Sequence, residues 1–133
     1  MIELLSVRTP SRSAMVDITD KVSRIVSSVH IEEGMCLVYS QHTTCGITVN
    51  ENADPDVKRD MLQEIDKIVP FEDDYHHLEG NSAAHIKSTL VGSSVTIPVS
   101  KGTLLLGTWQ GIYLCEFDGP RNRHVTIQII RQE

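Results

Sequence analysis

The order of hydrophobic periods along this chain predicts an α+β fold: mainly antiparallel strands in sandwich-like sheets, with about three helices, in a single compact domain over residues 1–133. Three observations carry that expectation. Strand-like segments cluster at both ends of the chain and helix-like segments lie between them. The helix-like windows are punctuated by capping residues, Gly or Pro. The length of 133 residues, with 40% hydrophobic and 23% charged residues, suits one core in an ordinary globular chain.

The elements follow in order. "IELLSV" reads as a first strand. "DITDKVSRIVSSVH" places Ile18, Val22, Ile25, Val26 and Val29 at helical spacing, with Asp17 or Thr19 as N-cap and Gly34 beyond the end. "MCLVYSQ" and "GITVNE" are short strands. Asp54 can then cap a second helix with Pro55 at its first position and Asp56 against the dipole. Its apolar face runs Val57, Met61, Leu62, Ile65, Ile68, Val69, and Pro70 follows. "FEDDYHHLEGN" is loop-like. "NSAAHIKSTLVG" is a short helix, capped by Asn81 or Ser82 and closed by Gly92. "SSVTIPV" is an edge strand because Pro98 lacks an N–H. "KGTLLLGTWQGIYLCEFD" is broken by a bend or bulge where Gly107 and Gly111 flank Trp109. "DGPRNR" is a turn, and "HVTIQIIR" alternates as the last strand.

Composition narrows the function classes. Aromatic residues are only 5%, so Val, Ile and Leu carry the core. A net charge of −6 argues against a nucleic-acid surface, though not against a local basic pocket for a small anion. Cys36, Cys45 and Cys115 form no CxxC pair, which points to a reducing compartment and to neither a disulfide framework nor a thiolate zinc site. The start "MIELLSVRTP" has no signal-peptide character and no apolar run reaches membrane-spanning length. A cytoplasmic protein without nucleic-acid or membrane partners is expected.

Polar residues gather in three stretches: "QHTTCGITVNENADPDV", "YHHLEGNSAAHIKS" and "GTWQGIYLCEFDGPRNR". Five of the six histidines lie in or beside them. Neutral imidazole is a common ligand for zinc-like metals, but the spacing matches no diagnostic motif. If extended, His76 and His77 point to opposite faces, so only one of them enters a given site. Thr43, Thr44, Lys87, Arg121 and Arg123 can hold phosphate oxygens, and Asn50, Glu51, Asn52 and Asp54 exceed what one helix cap requires. They suggest a hydrogen-bonding wall or a magnesium ligand. Alternation along the long strand puts Thr108, Gln110, Ile112, Leu114, Glu116 and Asp118 on one face and Trp109, Tyr113, Cys115 and Phe117 on the other. Glu116 in that apolar setting is a base, an outer partner of a histidine, or the salt-bridge partner of Arg121 or Arg123. Cys45 reads as a small core residue, since His42 would point to the opposite face of an extended segment.

The blocks "QHTT", "NENADPDV", "YHHLEGNSAAHIKS", "IPVSKG" and "LGTWQGIYLCEFDGPR" resemble, in order, the YjbQ-type family, labelled the secondary thiamine-phosphate synthase family. The resemblance implies a compact α+β fold, a homotrimer and a pocket built from histidines. It carries metal-ligand roles to His42, His76 and His85, with His76 preferred over His77. It also carries a catalytic role to Glu116 alongside His42, and site roles to Trp109 and Gln110. Cys45 departs from the pattern, where relatives usually have Ala or Ser.

Two activities compete. The resemblance implies a transferase that joins a pyrimidine pyrophosphate to a thiazole phosphate, giving thiamine phosphate and pyrophosphate. Mg²⁺ would accompany the leaving group, with Glu51, Asp54, Lys87 and Arg121 supplying parts of the grip. The length and strand pattern exclude the eight-fold barrel expected of dedicated synthases of this reaction. Three histidines with a zinc-like ion and Glu116 as base instead describe a hydrolase of a small phosphorylated or cyclic metabolite. A trimeric binding module without catalysis is the third reading.

Overall fold

The period-two segments at the two ends of the chain pair with each other. In the computed structural model, which describes residues 1–133, the strands are β1 (Ile2–Arg8), β2 (Ala14–Asp17), β3 (Gly34–Ser40), β4 (Cys45–Glu51), β5 (Ser94–Ser100), β6 (Thr103–Leu104), β7 (Gln110–Glu116) and β8 (Asn122–Arg131). The helices are α1 (Thr19–Val29), α2 (Pro55–Ile68) and α3 (Ser82–Val91). A five-stranded sheet runs β1-β8-β3-β5-β6 and a three-stranded sheet runs β2-β7-β4. Every strand pair is antiparallel, so the α+β sandwich is as expected.

The main core joins the inward faces of both sheets. Val38, Val125 and Ile127 of the larger sheet pack in one cluster with Ile47, Ile112 and Leu114 of the smaller and with Val22 and Val26 of α1. Each such fully buried aliphatic side chain contributes about 1.5–3 kcal/mol through removal from water. A satellite cluster of Met15, Ala84, Tyr113, Cys115 and Phe117 lies on the other face of β7, with Met61, Leu62 and Ile65 of α2 against it. The two faces of β7 therefore divide as alternation requires. No residue of α2 is buried, and Ile68 stays 66% exposed. Its apolar stripe is only partly covered.

Local signals placed the helix ends well. Asp54 accepts from the Asp56 N–H with Pro55 behind it, and Gly92 closes α3 with its N–H on Ser88. At α1 the N-cap is Ile18, while Asp17, one residue earlier, accepts from the Thr19 N–H and hydroxyl. The long stretch before β7 breaks at 105–109, as the glycines suggested. β2 was not expected, because four residues are too few to display a period, and only pairing with β7 defines them as a strand. β5 is covered on its outer side only by the two residues of β6.

Cross-strand register leaves one sheet face bare. Ile2, Gln128 and Leu37 form one row, Leu4, Thr126 and Tyr39 the next, and Ile130 sits beside Met35. Ile2, Leu4, Met35, Tyr39 and Ile130 are all exposed there. No helix is long and apolar enough to cross a membrane.

Candidate functional site

The site is built on a buried ion pair. Arg123 occupies an inward position of β8, in phase with Val125, Ile127 and Ile129, and Glu116 ends β7. Arg123 is 3% exposed and Glu116 0%. Arg123 Nε donates to Glu116 Oε1 at 2.9 Å, and its Nη2 donates to Glu116 Oε2 at 2.5 Å and to Thr44 Oγ1 at 2.8 Å. The other lone pairs of Glu116 accept from Thr9 Oγ1 at 2.7 Å and from the N–H groups of Phe117 and Asp118 at 3.1 and 3.0 Å. Gly119 is needed beside them. A Cβ there would lie 2.4 Å from the Ser11 carbonyl oxygen and 2.8 Å from Glu116 Cγ.

Burial alone would push the Glu116 carboxyl up. The Arg123 guanidinium, the Asp118 N–H and the Thr9 hydroxyl outweigh it and hold the group below the usual carboxylate range. A carboxylate saturated by five donors and kept ionised is a poor proton acceptor. The base role expected of Glu116 is thus replaced by the salt-bridge alternative: the residue positions Arg123.

In front of this pair lies a cavity of about 430 Å³. The segment before β4 contributes Gln41, His42, Thr43 and Thr44, and the turn after β7 contributes Asp118 and Arg121. The start of α3 and the loop before it contribute His77, Glu79, Asn81 and His85, with Arg123 at the base. Arg121 Nη2 donates to Asp118 Oδ2 at 2.9 Å, and Asn81 Nδ2 donates to the same oxygen at 2.9 Å. Asn81 Oδ1 is buried without a hydrogen-bond partner in the chain. Arg123 Nη1 also makes no bond within the chain, since Nε and Nη2 make those that exist. Arg123 is balanced by Glu116 and Arg121 by Asp118, so what the cavity offers an anion is a set of N–H donors, from the guanidinium groups, the imidazoles and the N-terminal end of α3, with Glu79 at the rim.

The histidines are placed as follows. His42, His77 and His85 line this cavity. The rings of His77 and His85 meet edge-on with centroids 5.4 Å apart. His76, the expected ligand, is absent from this cavity and lines a neighbouring depression with Asp74 and Tyr75, which His77 and His85 also wall. Of the two, only His77 also reaches the arginine-lined cavity, where its side chain stays 43% exposed. His42 Nε2 accepts from the His124 N–H at 3.0 Å. Its pKa is lowered by burial first, then by the charges of Arg123 and His124, so the ring is neutral at pH 7. No group of three or more His, Cys, Asp or Glu side chains is placed to hold a metal ion. Three imidazoles share a cavity, but within one chain they do not converge on a point as zinc coordination requires.

Other expected residues fall outside the cavity. Lys87 is buried and paired with Asp66 of α2, its ammonium 5.7 Å from the Phe117 ring centre. Asn50, Asn52, Asp54, Trp109 and Gln110 lie at the opposite end of the small sheet. Cys45 pairs with Glu116 at one end and Glu51 with Gln110 at the other, six steps away, about 20 Å along an extended strand. There Asn52 packs over Gly111, where a Cβ would come within 2.6 Å of Asn52 Nδ2, and its N–H donates to the Trp109 carbonyl at 2.9 Å. Asn50 Oδ1 accepts from the Glu51 N–H, and Gln110 Oε1 from the Gly107 N–H. These polar groups fold a turn. Cys45 is buried against Ser40, and burial pushes its thiol up, which removes it as a nucleophile.

Glu79, Asn81 and Asp118 were not among the expected site residues, while Arg123 was expected only as a phosphate-holding cation or partner of Glu116 and His77 only as the less favoured alternative to His76. Arg123 carried a usable signal: it is a charged residue in phase with Val125, Ile127 and Ile129 of an alternating strand.

Comparison with known proteins places the chain. The sequence profile described as "UPF0047 protein YjbQ-like" matches residues 3–132. The UPF0047 protein YugU of Bacillus subtilis is 50% identical over 131 residues, covering 98% of this chain and 99% of that protein. A UPF0047 protein of Methanocaldococcus jannaschii is 47% identical, covering 98% of this chain and 94% of that one. A crystal structure of a conserved YjbQ/UPF0047 protein from Clostridium acetobutylicum superposes with a TM-score of 0.95 at 52% identity, covering 96% of this chain and 99% of that one. With a matching profile, full-length relatives and the same fold, the chain belongs to the YjbQ-like UPF0047 family.

Proposed function

We propose that the arginine–histidine cavity binds the phosphate or diphosphate group of a small metabolite. The reaction is transfer of the thiamine-phosphate synthase type. The carrying observation is that Arg121, Arg123, His42, His77 and His85 line one cavity in a chain of net charge −6. In that reaction the thiazole nitrogen forms a bond to the pyrimidine methylene carbon. The bond from that carbon to the diphosphate oxygen breaks, and the electron pair leaves with pyrophosphate. No proton need move before the leaving group departs, so electrostatic grip on the departing oxygens is the main requirement. Arg123 Nη1, Arg121 and the imidazoles supply donors for it. The carboxylates that could share Mg²⁺ with a diphosphate in this cavity are Glu79 and Asp118, in place of Glu51 and Asp54.

The second reading is hydrolysis of a phosphorylated or cyclic metabolite, favoured by the three imidazoles that line the cavity. One assay separates the two. Transfer requires both the pyrimidine diphosphate and the thiazole phosphate for pyrophosphate release; hydrolysis requires one. Binding of either without turnover leaves a binding module.

We further propose that the chain assembles as a homotrimer through the bare apolar face of the five-stranded sheet. His124 lies on that face beside Ser6 and stacks near His42, with ring centroids 6.5 Å apart. A neighbouring copy seated there would border the cavity.

A further inference from the structure

A second cavity of about 430 Å³ adjoins the first. His42, Thr43 and His85 wall both. The second has no arginine and no carboxylate; beyond the shared residues it is lined by Cys45, Ser88, Thr89, Gly92 and Ser93. The hydrogen-bonding sense of two of its hydroxyls is fixed. Ser88 Oγ donates to the Ala84 carbonyl at 2.8 Å, and Thr89 Oγ1 donates to the His85 carbonyl at 2.9 Å. Each hydroxyl has one proton, so both offer only lone pairs to a ligand. The first cavity differs in holding charged groups, among them guanidinium N–H groups that can only donate.

From this polarity we infer that the two cavities form one binding site with two chambers: the first takes the phosphoryl group and the second takes an uncharged body bearing hydroxyl or amino donors, with His42 and His85 at the junction. This deepens the phosphate-binding reading above and rests on it. The substrate class is a phosphomonoester or diphosphate of a compact, donor-bearing body about the size of a pentose. Apolar bodies are disfavoured because the Ser88 and Thr89 lone pairs would lose water without gaining a donor.

The test uses three probes on the intact chain by calorimetry: inorganic phosphate, ribose 5-phosphate, and cyclopentylmethyl phosphate, which keeps the shape of the sugar and lacks its hydroxyls. The expected result is that ribose 5-phosphate binds about tenfold or more tighter than cyclopentylmethyl phosphate, the value of one well-made hydrogen bond. Ser93→Trp should fill the second chamber and abolish that preference while inorganic phosphate binds as before. Thr89→Trp, on the exposed side of α3, repeats the test if the first variant does not fold. Equal affinity for the two esters, or a preference that survives both substitutions, overturns the two-chamber site. Failure of all three probes to bind the unaltered chain overturns the phosphate reading itself.

Discussion

Arg123 holds Glu116 with two guanidinium nitrogens while a third, Nη1, stays free at the base of the cavity. The pair is both a structural clamp and the floor of the site.

Removing one partner strands the other. Glu116→Gln leaves a buried guanidinium without its counter-charge and should cost about 3–5 kcal/mol of folding stability. Replacing both, Glu116→Leu with Arg123→Met, should recover much of that loss and still abolish phosphate binding. Chemical denaturation of the three proteins measures the first effect and calorimetry the second.

The same pair sets an acid limit. The folded pKa of Glu116 lies below its ordinary value of 4.5. The folded chain therefore binds fewer protons at this group than the unfolded chain does. Its contribution is fully present above pH 4.5 and is lost as pH falls through the depressed folded value. His42 acts in the same sense nearer neutrality: its lowered pKa withdraws stability as pH drops below 6.5. Melting temperature against pH should show both losses. The lower one should be missing in Glu116→Gln.

Arg121 offers a cleaner probe of anion binding, since its side chain is half exposed and supports little else. Arg121→Ala should fold like the parent and weaken pyrophosphate binding about tenfold or more, as loss of a charge-assisted hydrogen bond implies. Unchanged affinity would remove Arg121 from the site.

The two adjacent loop histidines should separate. His77→Ala and His85→Ala are expected to impair turnover, and His76→Ala to leave it within about twofold, less than the value of one hydrogen bond. Elemental analysis of the purified chain decides the metal question in parallel. A stoichiometric transition metal lost in His85→Ala would show that the imidazoles converge in a way the single chain does not display.

Leu4→Lys combined with Ile130→Lys puts two charges on the bare sheet face. Sedimentation velocity should then show monomer where the parent shows a trimer. A parent that sediments as a monomer would exclude assembly through this face.

Capping at Asp54 and Gly92, the helical phase of α1, the break near Gly107 and the two faces of β7 were all legible in the sequence. Each depends on residues within a turn or two of one another, where rotation per residue is fixed by backbone geometry. The gathering of polar residues into three stretches was legible too, but not which members meet. Asn50, Asn52 and His42 share one stretch and end at opposite ends of a sheet, because a strand translates its residues by about 3.3 Å each. Tertiary structure alone chose Arg123 over Arg121 as the partner of Glu116 and brought His77, and not His76, to the arginine-lined cavity. It also brought Thr9 to a carboxylate 107 residues away. Those outcomes depend on strand register and loop path, which are set by the packing of the whole core and by no local rule.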